Sequence, residues 1–127
     1  MAGKTSHTFR PDIRVRLIGT RPFFGPGTST LLRAIQECGS VLGACERLEL
    51  SYSKGRAILR SAEQELGLPL VHRTKGGVGG GSASLTEAGV RLLDGFERYQ
   101  ADVRRYAQEH FDALRAQLEH PECENSI

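Results

Sequence analysis

The sequence lacks the features that mark several large classes of protein. No apolar run approaches the roughly 20 residues that a membrane-spanning helix needs, and the polar N-terminus has no apolar segment of the kind found in signal peptides. The three cysteines have no CxxC spacing and the four histidines are scattered, so no structural metal site is expected. These absences predict a cytoplasmic protein that carries no metal ion or other cofactor.

The sequence also lacks a recognisable set of catalytic residues. His7 and His120 fall in segments predicted to be tails, His110 falls on a helix flank, and His72 falls in a predicted hairpin. The glycine tract at 76–81 has neither the GxxxxGK[ST] nor the complete GxGxxG spacing of phosphate-binding loops, so we interpret it as the tip of a hairpin. We therefore expect a protein that is not an enzyme.

Size and composition favour one globular domain with unevenly placed charge. The chain has 127 residues, of which 39% are hydrophobic and 25% charged, and its formal net charge is only +2. Cations gather at the centre and acids near the C-terminus, as in proteins that present one face to phosphates. The central cations are Lys54, Arg56, Arg60, Arg73 and Lys75, and the acids are Glu109, Asp112, Glu119, Glu122 and Glu124.

The central segment, residues 39–86, has the pattern of a winged helix-turn-helix. Ser40 and Ser51 are suitable N-caps for two helices separated by a tight turn. Residues 70–74 and 82–86 can pair as a short hairpin, the wing, around the glycines. Helix, turn, helix and hairpin is the order of a fold whose second helix can enter a DNA major groove. The predicted fold class is mostly α with a small β-hairpin, that is, α+β.

Residues 51–66 form the predicted recognition helix, with an apolar and a polar side. The polar side mixes small residues, which allow close approach, with cations that can bond phosphates or base edges. A solvated helix face is the alternative interpretation. The apolar side is predicted to hold Tyr52, Gly55, Ile58, Leu59, Ala62 and Leu66. The residues predicted to contact double-stranded DNA are Ser40, Ser51, Tyr52, Ser53, Lys54, Arg56, Arg60, Arg73 and Lys75.

The segment before residue 39 is predicted to begin with a strand and end with a helix. Residues 13–18 alternate apolar and polar side chains, which is typical of a strand with one buried face. Residues 23–27 contain two glycines around a proline and predict a turn. Thr28 or Ser29 is then a suitable N-cap for a helix that ends at Gly39, which suits a left-handed C-cap.

A long helix is predicted after the N-cap Thr86, reaching to about Leu118. A helix of that length would extend about 50 Å, which is more than a domain of this size can cover, so its outer half is predicted to pack against a second copy of the chain. A shorter helix folded back on the core is the alternative. The predicted dimer interface consists of Leu93, Phe96, Val103, Ala107, Phe111 and Leu114, which recur mainly at helical spacings of three and four.

These predictions divide the chain into a disordered tail (1–12), a winged helix-turn-helix domain (13–86), a dimerisation helix (87–118) and a flexible acidic tail (119–127). The predicted function is sequence-specific DNA binding as a homodimer, through helix 51–66 and wing 70–86, at an inverted-repeat site. The alternative is a winged-helix module that recruits a separate sensor or partner protein without binding DNA. The sequence names no small-molecule effector.

Several motifs resemble the N-terminal domain of the ModE family, which are molybdate-responsive transcriptional regulators related to the LysR winged-helix group. The resemblance covers about residues 13 to 106, and its most specific parts are the serine–tyrosine pair at 51–52 and the GGxGGG tract at 76–81. The motifs are Phe24-Gly-Pro-Gly, Leu31-Leu-Arg-Ala-Ile-Gln-Glu-Cys-Gly-Ser, Leu50-Ser-Tyr-Ser-Lys, Pro69-Leu-Val, Gly76-Gly-Val-Gly-Gly-Gly and Leu85-Thr-Glu-Ala-Gly.

The resemblance implies a homodimeric transcription factor whose recognition helix begins at Ser51 and whose wing tip is the glycine tract. Two departures alter what it implies. Arg56 occupies a position where many relatives carry tryptophan. The sequence also stops where the molybdate-binding domains of the family would begin, so we expect a stand-alone regulator that does not sense molybdate by that route.

Overall fold

The computed structural model describes residues 9–74 and 81–119, which form four helices and two antiparallel pairs of strands. The first strand pair is β1 (Leu17–Ile18) with β2 (Pro22–Phe24), and the second is β3 (Val71–Thr74) with β4 (Ser82–Leu85). The helices are α1 (Pro26–Cys38), α2 (Val41–Arg47), α3 (Tyr52–Leu66) and α4 (Glu87–Glu119). This element order confirms the mostly helical winged helix-turn-helix class.

The chain divides into two compact units. Arg14–Arg98 forms one unit, and the described parts of Met1–Ile13 and Tyr99–Ile127 belong to the other. The predicted tails fall largely on residues 1–8 and 120–127, which lie outside the described residues.

The helix ends that were predicted from capping residues are confirmed in most cases. Ser40, Ser51 and Thr86 each accept a hydrogen bond from the backbone N–H three residues later, at 2.8, 3.1 and 2.9 Å, and so begin α2, α3 and α4. Gly39 and Gly67 end α1 and α3 with φ of 78° and 71°. At these two positions glycine supplies a left-handed conformation at little steric cost.

The start of α1 was predicted wrongly. Phe23 and Phe24 extend into β2 and do not form a turn, and the helix already begins at Pro26 with no side-chain cap. Proline suits this position because its φ is already helical and its missing N–H would have no helical partner. Thr28 and Ser29, the predicted N-caps, lie inside the helix and are 7% and 5% exposed.

The predicted strand at 13–18 is shorter than expected. Its hydrogen-bonded part is Leu17–Ile18. Nevertheless Ile13, Val15 and Leu17 are half-buried and alternate with exposed neighbours, so the alternation correctly gave the side that faces inward.

The core of the Arg14–Arg98 unit fixes how closely α2 and α3 pack. Leu31, Cys45 and Leu59, from α1, α2 and α3, are almost completely buried. A Cβ atom at Gly55 would overlap the Cys45 sulfur, so glycine is what allows α3 to approach α2 this closely. Burial raises the pKa of the Cys45 thiol, as expected for a structural cysteine in the reduced state.

Hydrogen bonds attach the hairpin β3–β4 to the helices. The Ala83 N–H donates to the Gly39 carbonyl at 2.8 Å, which ties β4 to the junction between α1 and α2. The Glu63 carboxylate on α3 accepts from the N–H groups of Leu70 and Val71 at 2.8 and 3.2 Å, which fixes the start of β3. These three hydrogen bonds therefore tie β4 to the α1–α2 junction and the start of β3 to α3.

Candidate nucleic-acid interface

Helix α3, the predicted recognition helix, has the two-sided character that the sequence predicted. Gly55, Leu59 and Ala62 are buried. Tyr52 is an exception to the prediction, because it was expected on the apolar side but is 43% exposed. As the first residue of α3 it lines a cleft and is not part of the core. The residues on the exposed side are Ser53, Lys54, Arg56, Ala57, Arg60 and Gln64.

The cations of this surface have no ion-pair partner among the residues that the structure describes. Within residues 9–74 and 81–119, Lys54, Arg56, Arg60 and Arg73 form no ion pair with a carboxylate. Other arginines of the same part of the chain do form such pairs: Arg33, Arg47, Arg105 and Arg115. Because the cations of α3 and β3 are not neutralised by acids of the fold, they remain free to bind an anionic partner.

Arg56 has a different neighbour. Its guanidinium carbon lies 5.8 Å from the centre of the Tyr52 ring, which is within cation–π distance. The two residues are four apart in a helix and therefore lie next to each other on its surface. Both side chains are exposed, so the stacked pair forms part of the outer surface of the first turns of α3.

A cleft of about 780 Å³ adjoins α3. Three of the predicted residues from three different elements line it: Ser40 before α2, Tyr52 at the start of α3, and Arg73 on β3. The fold thus brings together residues that are far apart in the sequence. Leu42 and Thr74 also line this cleft and were not predicted. Leu42 had a usable signal, because it lies in the first turn of α2 opposite the buried Val41–Ala44–Cys45 side and is 51% exposed.

Of the remaining predicted contact residues, Ser51 and Ser53 lie at the start of α3 and Lys75 lies outside the described residues. Lys75 and most of the glycine tract, residues 76–80, lie outside the described residues. Ser51 and Ser53 are exposed at the start of α3 with their hydroxyl oxygens 3.5 Å apart, and Ser51 also caps the helix.

Two residues of the predicted dimer interface belong to the core of the single chain. Leu93 is 0% and Phe96 3% exposed, and the Phe96 ring packs edge-on against Phe24 with 4.9 Å between ring centres. Side chains that are buried in their own unit are not available to a second copy. The periodic apolar pattern of α4 therefore includes residues that stabilise the domain itself.

Further along α4, between Tyr99 and Glu119, the predicted interface residues differ in exposure. Val103 and Ala107 are half-buried, Phe111 is 8% exposed, and Leu114 is 54% exposed. Tyr106, which was not predicted, is 64% exposed and its ring stacks on that of His110 with 4.1 Å between centres. Tyrosine was missed because the periodicity argument counted only aliphatic and phenyl side chains.

Two kinds of feature were not found in the described part of the chain. No group of three or more histidine, cysteine, aspartate or glutamate side chains is placed to hold a metal ion. Among the same residues, no helix is both long enough and apolar enough to span a membrane.

Comparison with known proteins matches this chain to a bacterial family and to two related proteins. Residues 29–90 match the bacterial regulatory helix-turn-helix proteins of the lysR family. The chain is 33% identical over 88 residues to the transcriptional regulator ModE of Haemophilus influenzae, and 36% identical over 75 residues to the molybdenum-pterin-binding protein MopA of Rhodobacter capsulatus. These alignments cover 69% and 59% of this chain. They cover only 32% and 28% of the relatives, so the chain spans about a third of their length.

Solved structures show the same fold. The complex of the CbnR DNA-binding domain with DNA superposes with a TM-score of 0.56 at 24% identity, covering 69% of this chain and 95% of that domain. Full-length CbnR complexed with its target DNA gives a TM-score of 0.52 at 26% identity, covering 71% of this chain and 28% of CbnR. CbnR is a LysR family transcriptional regulator. Together these relationships establish that residues 29–90 are a LysR-type helix-turn-helix domain, homologous to regions of ModE and MopA.

Proposed function

We propose that this chain is a sequence-specific DNA-binding transcriptional regulator, which inserts α3 into the major groove and uses the hairpin β3–β4 as its wing. The observation that carries the proposal is the set of exposed cations on α3, none of which forms an ion pair with a carboxylate of the described residues, in a domain homologous to that of a regulator. Major grooves admit one α-helix, and Lys54, Arg56 and Arg60 lie on the exposed surface of α3.

The described residues that line the cleft beside α3 include one cation, Arg73, and one acid, Glu46, and we assign phosphate binding to its Arg73 side. Arg73 lies across it from the start of α2, where Ser40 precedes the first free backbone N–H groups. Helix N-termini and arginine side chains both bind phosphate oxygens. Ser51 offers a similar terminus at the start of α3. In this proposal these groups position the protein on the DNA backbone, while the exposed side of α3 reads bases.

The second part of the proposal is homodimerisation through α4. Tyr99, Val103, Tyr106, His110 and Leu114 are spaced by four, three, four and four residues and so share one side of the helix. The two tyrosines and Leu114 are each more than half exposed in the single chain. Isolated exposed apolar residues are common, but a row on one helical side is typical of a helix that packs against a partner.

Dimerisation has a consequence for the DNA site. A two-fold symmetric pair of recognition helices matches two half-sites in inverted orientation, separated by about one helical turn of DNA or a multiple of it. A footprint of the purified protein on its preferred fragment would measure this spacing.

The proposal is tested by fluorescence anisotropy with genomic fragments, including the region upstream of the gene, over a series of salt concentrations. We expect tight binding to one fragment, much weaker binding to random DNA, and an affinity that falls steeply with salt. Lys54→Ala and Arg60→Ala should each weaken specific binding by about 1–3 kcal/mol if the side chain reads a base. Arg98→Ala, an exposed cation of α4 away from α3, is the matched control and should bind as the wild type does.

Two results would argue against DNA binding. One is that both α3 variants bind with wild-type affinity, which would show that the exposed side of α3 does not contact DNA as assigned. The other is uniformly weak binding to every fragment, which would favour the alternative of a module that recruits a partner protein. A pull-down with the immobilised chain would then be the next experiment.

A further inference from the structure

The stacked pair at the start of α3 restricts one arginine more than the other cations of the surface. Lys54 and Arg60 have exposed side chains without an aromatic neighbour among the described residues, whereas Arg56 lies over the Tyr52 ring at 5.8 Å. Stacking on an aromatic ring holds a planar guanidinium in a preferred orientation. Arg56 therefore loses part of its side-chain freedom before any ligand arrives.

The backbone beneath this arginine is also fixed. Its neighbour Gly55 packs against the buried Cys45 so closely that no Cβ would fit. The preceding turn is held by the hydrogen bond from the Lys54 N–H to the Ser51 hydroxyl at 3.1 Å. The main chain just before Arg56 is thus held by the fold, while the residue itself is exposed beside Tyr52.

An oriented guanidinium suits a partner that presents two acceptors side by side. The oxygens of a phosphate can also accept two bonds from the arginine fork, but a phosphate offers them at every DNA sequence. In the major groove, guanine presents O6 and N7 side by side, and the arginine fork pairs with both. Other bases do not offer two adjacent acceptors at this edge.

We propose that Arg56, positioned by Tyr52, reads a guanine in each half-site of the DNA. This rests on the proposed function and adds to it the base that is recognised and the residue that recognises it. Tyr52 acts here as a positioning residue, because it orients the guanidinium and need not touch the base.

The test begins with selection of preferred sites from randomised DNA by the wild-type protein, followed by anisotropy titrations with each base substituted in turn. We expect one guanine per half-site whose replacement lowers wild-type affinity by roughly 10- to 100-fold. Replacing that guanine by 7-deazaguanine, which lacks the N7 acceptor, should produce most of the same loss. Inosine keeps N7 and O6 and should be bound like guanine.

Variants of Arg56 and Tyr52 then test whether these two residues cause the preference for guanine. Arg56→Lys keeps the charge but lacks the fork, so it should lose the guanine preference while its salt dependence stays near that of the wild type. Tyr52→Leu should weaken the preference for guanine. Tyr52→Phe keeps the ring and should retain the wild-type preference. Both side chains are exposed, so the variants should fold, and circular dichroism would verify this.

Three outcomes would overturn the inference. If Arg56→Ala weakens binding equally at all sequences and lowers the salt slope by about one, Arg56 contacts a phosphate. If Arg56→Lys retains the full guanine preference, the fork is not used. If the wild type selects no sequence at all, the proposed function itself fails, and this is distinguished from the other two because there the wild type still binds a specific site.

Discussion

Replacing Gly55 by alanine is the most direct test of how the recognition helix is held. The added methyl group would overlap the Cys45 sulfur, and Cys45 is 1% exposed in the core. Either the cysteine must rotate into occupied space or α3 must move away from α2. Both responses disturb the contact on which the position of α3 depends.

The magnitude follows from two opposing contributions. Alanine is preferred over glycine in a helix interior by about 0.8–1 kcal/mol, whereas overpacking a filled core destabilises by about 1–3 kcal/mol. The net change in the free energy of unfolding is therefore expected to lie between about zero and 2 kcal/mol of destabilisation. Because the two contributions have opposite signs, the stability of the Gly55→Ala variant alone does not reveal the size of either.

Gly95→Ala separates the two contributions. Gly95 lies within α4, and a Cβ added there meets no atom within 4 Å, so this variant gains the helix preference without a clash. We expect Gly95→Ala to be more stable than Gly55→Ala by about 2 kcal/mol, which corresponds to roughly 10 °C in melting temperature for a domain of this size. The two melts must be compared at equal protein concentration because a dimer would make them concentration-dependent.

The double variant identifies the cause. In the Gly55→Ala background, Cys45→Ala removes the sulfur that obstructs the new methyl, so stability should partly return although Cys45→Ala alone leaves a gap. The coupling between the two sites is expected to be about 0.5–3 kcal/mol. The reasoning is refuted if Gly55→Ala stabilises the protein as much as Gly95→Ala, because the two helices would then tolerate a side chain at their closest approach.

Three further predictions concern α4 and the surface of the domain. Leu114→Glu should dissociate the proposed dimer in analytical ultracentrifugation, and Ala116→Glu, which adds the same charge at an exposed position on the other side of α4, should not. Hydrogen bonds from the Thr20 hydroxyl and N–H lower the pKa of Glu65. The ionised carboxylate therefore stabilises the fold at pH values above the ordinary pKa of glutamate, about 4.3. This stabilisation is lost as the pH falls through the lowered pKa of the folded state. In thermal melts, Glu65→Gln should be less stable than wild type at pH 7, with the difference disappearing in acid. Arg33→Ala removes ion pairs to α4, and melts should show a loss of about 1 kcal/mol or less that shrinks with added salt.

Local capping chemistry explains what could be predicted from the sequence. The N-caps Ser40, Ser51 and Thr86 were predicted correctly because the acceptor and its N–H partner are only three residues apart. The start of α1 was not, because Thr28 and Ser29 fit a cap and the proline at 26 fits both a turn and the first residue of a helix. A short sequence motif predicts where a helix begins only when the motif is compatible with a single local structure.

Periodicity shows which residues share a side of a helix but not which surface covers that side. Leu93 and Leu114 continue one apolar pattern along α4, yet one is fully buried in its own domain and the other is 54% exposed. The same limit applies to Tyr52, whose spacing places it with the apolar side of α3 but whose position at the helix start leaves it in a cleft. Long-range packing decides both cases.

The charges of α3 run against its own dipole, and this is informative about function. Lys54 and Arg56 lie near the N-terminus, where the helix end is positive, and Glu63 and Glu65 lie near the C-terminus, where it is negative. A charge of this sign disfavours the helix where it lies in the first or last turn. The two acids have a structural compensation, since Glu63 accepts hydrogen bonds from the N–H groups of Leu70 and Val71 and Glu65 accepts one from that of Thr20. The two cations have none among the carboxylates of the described chain, which is the arrangement expected where an external anion supplies the missing partner.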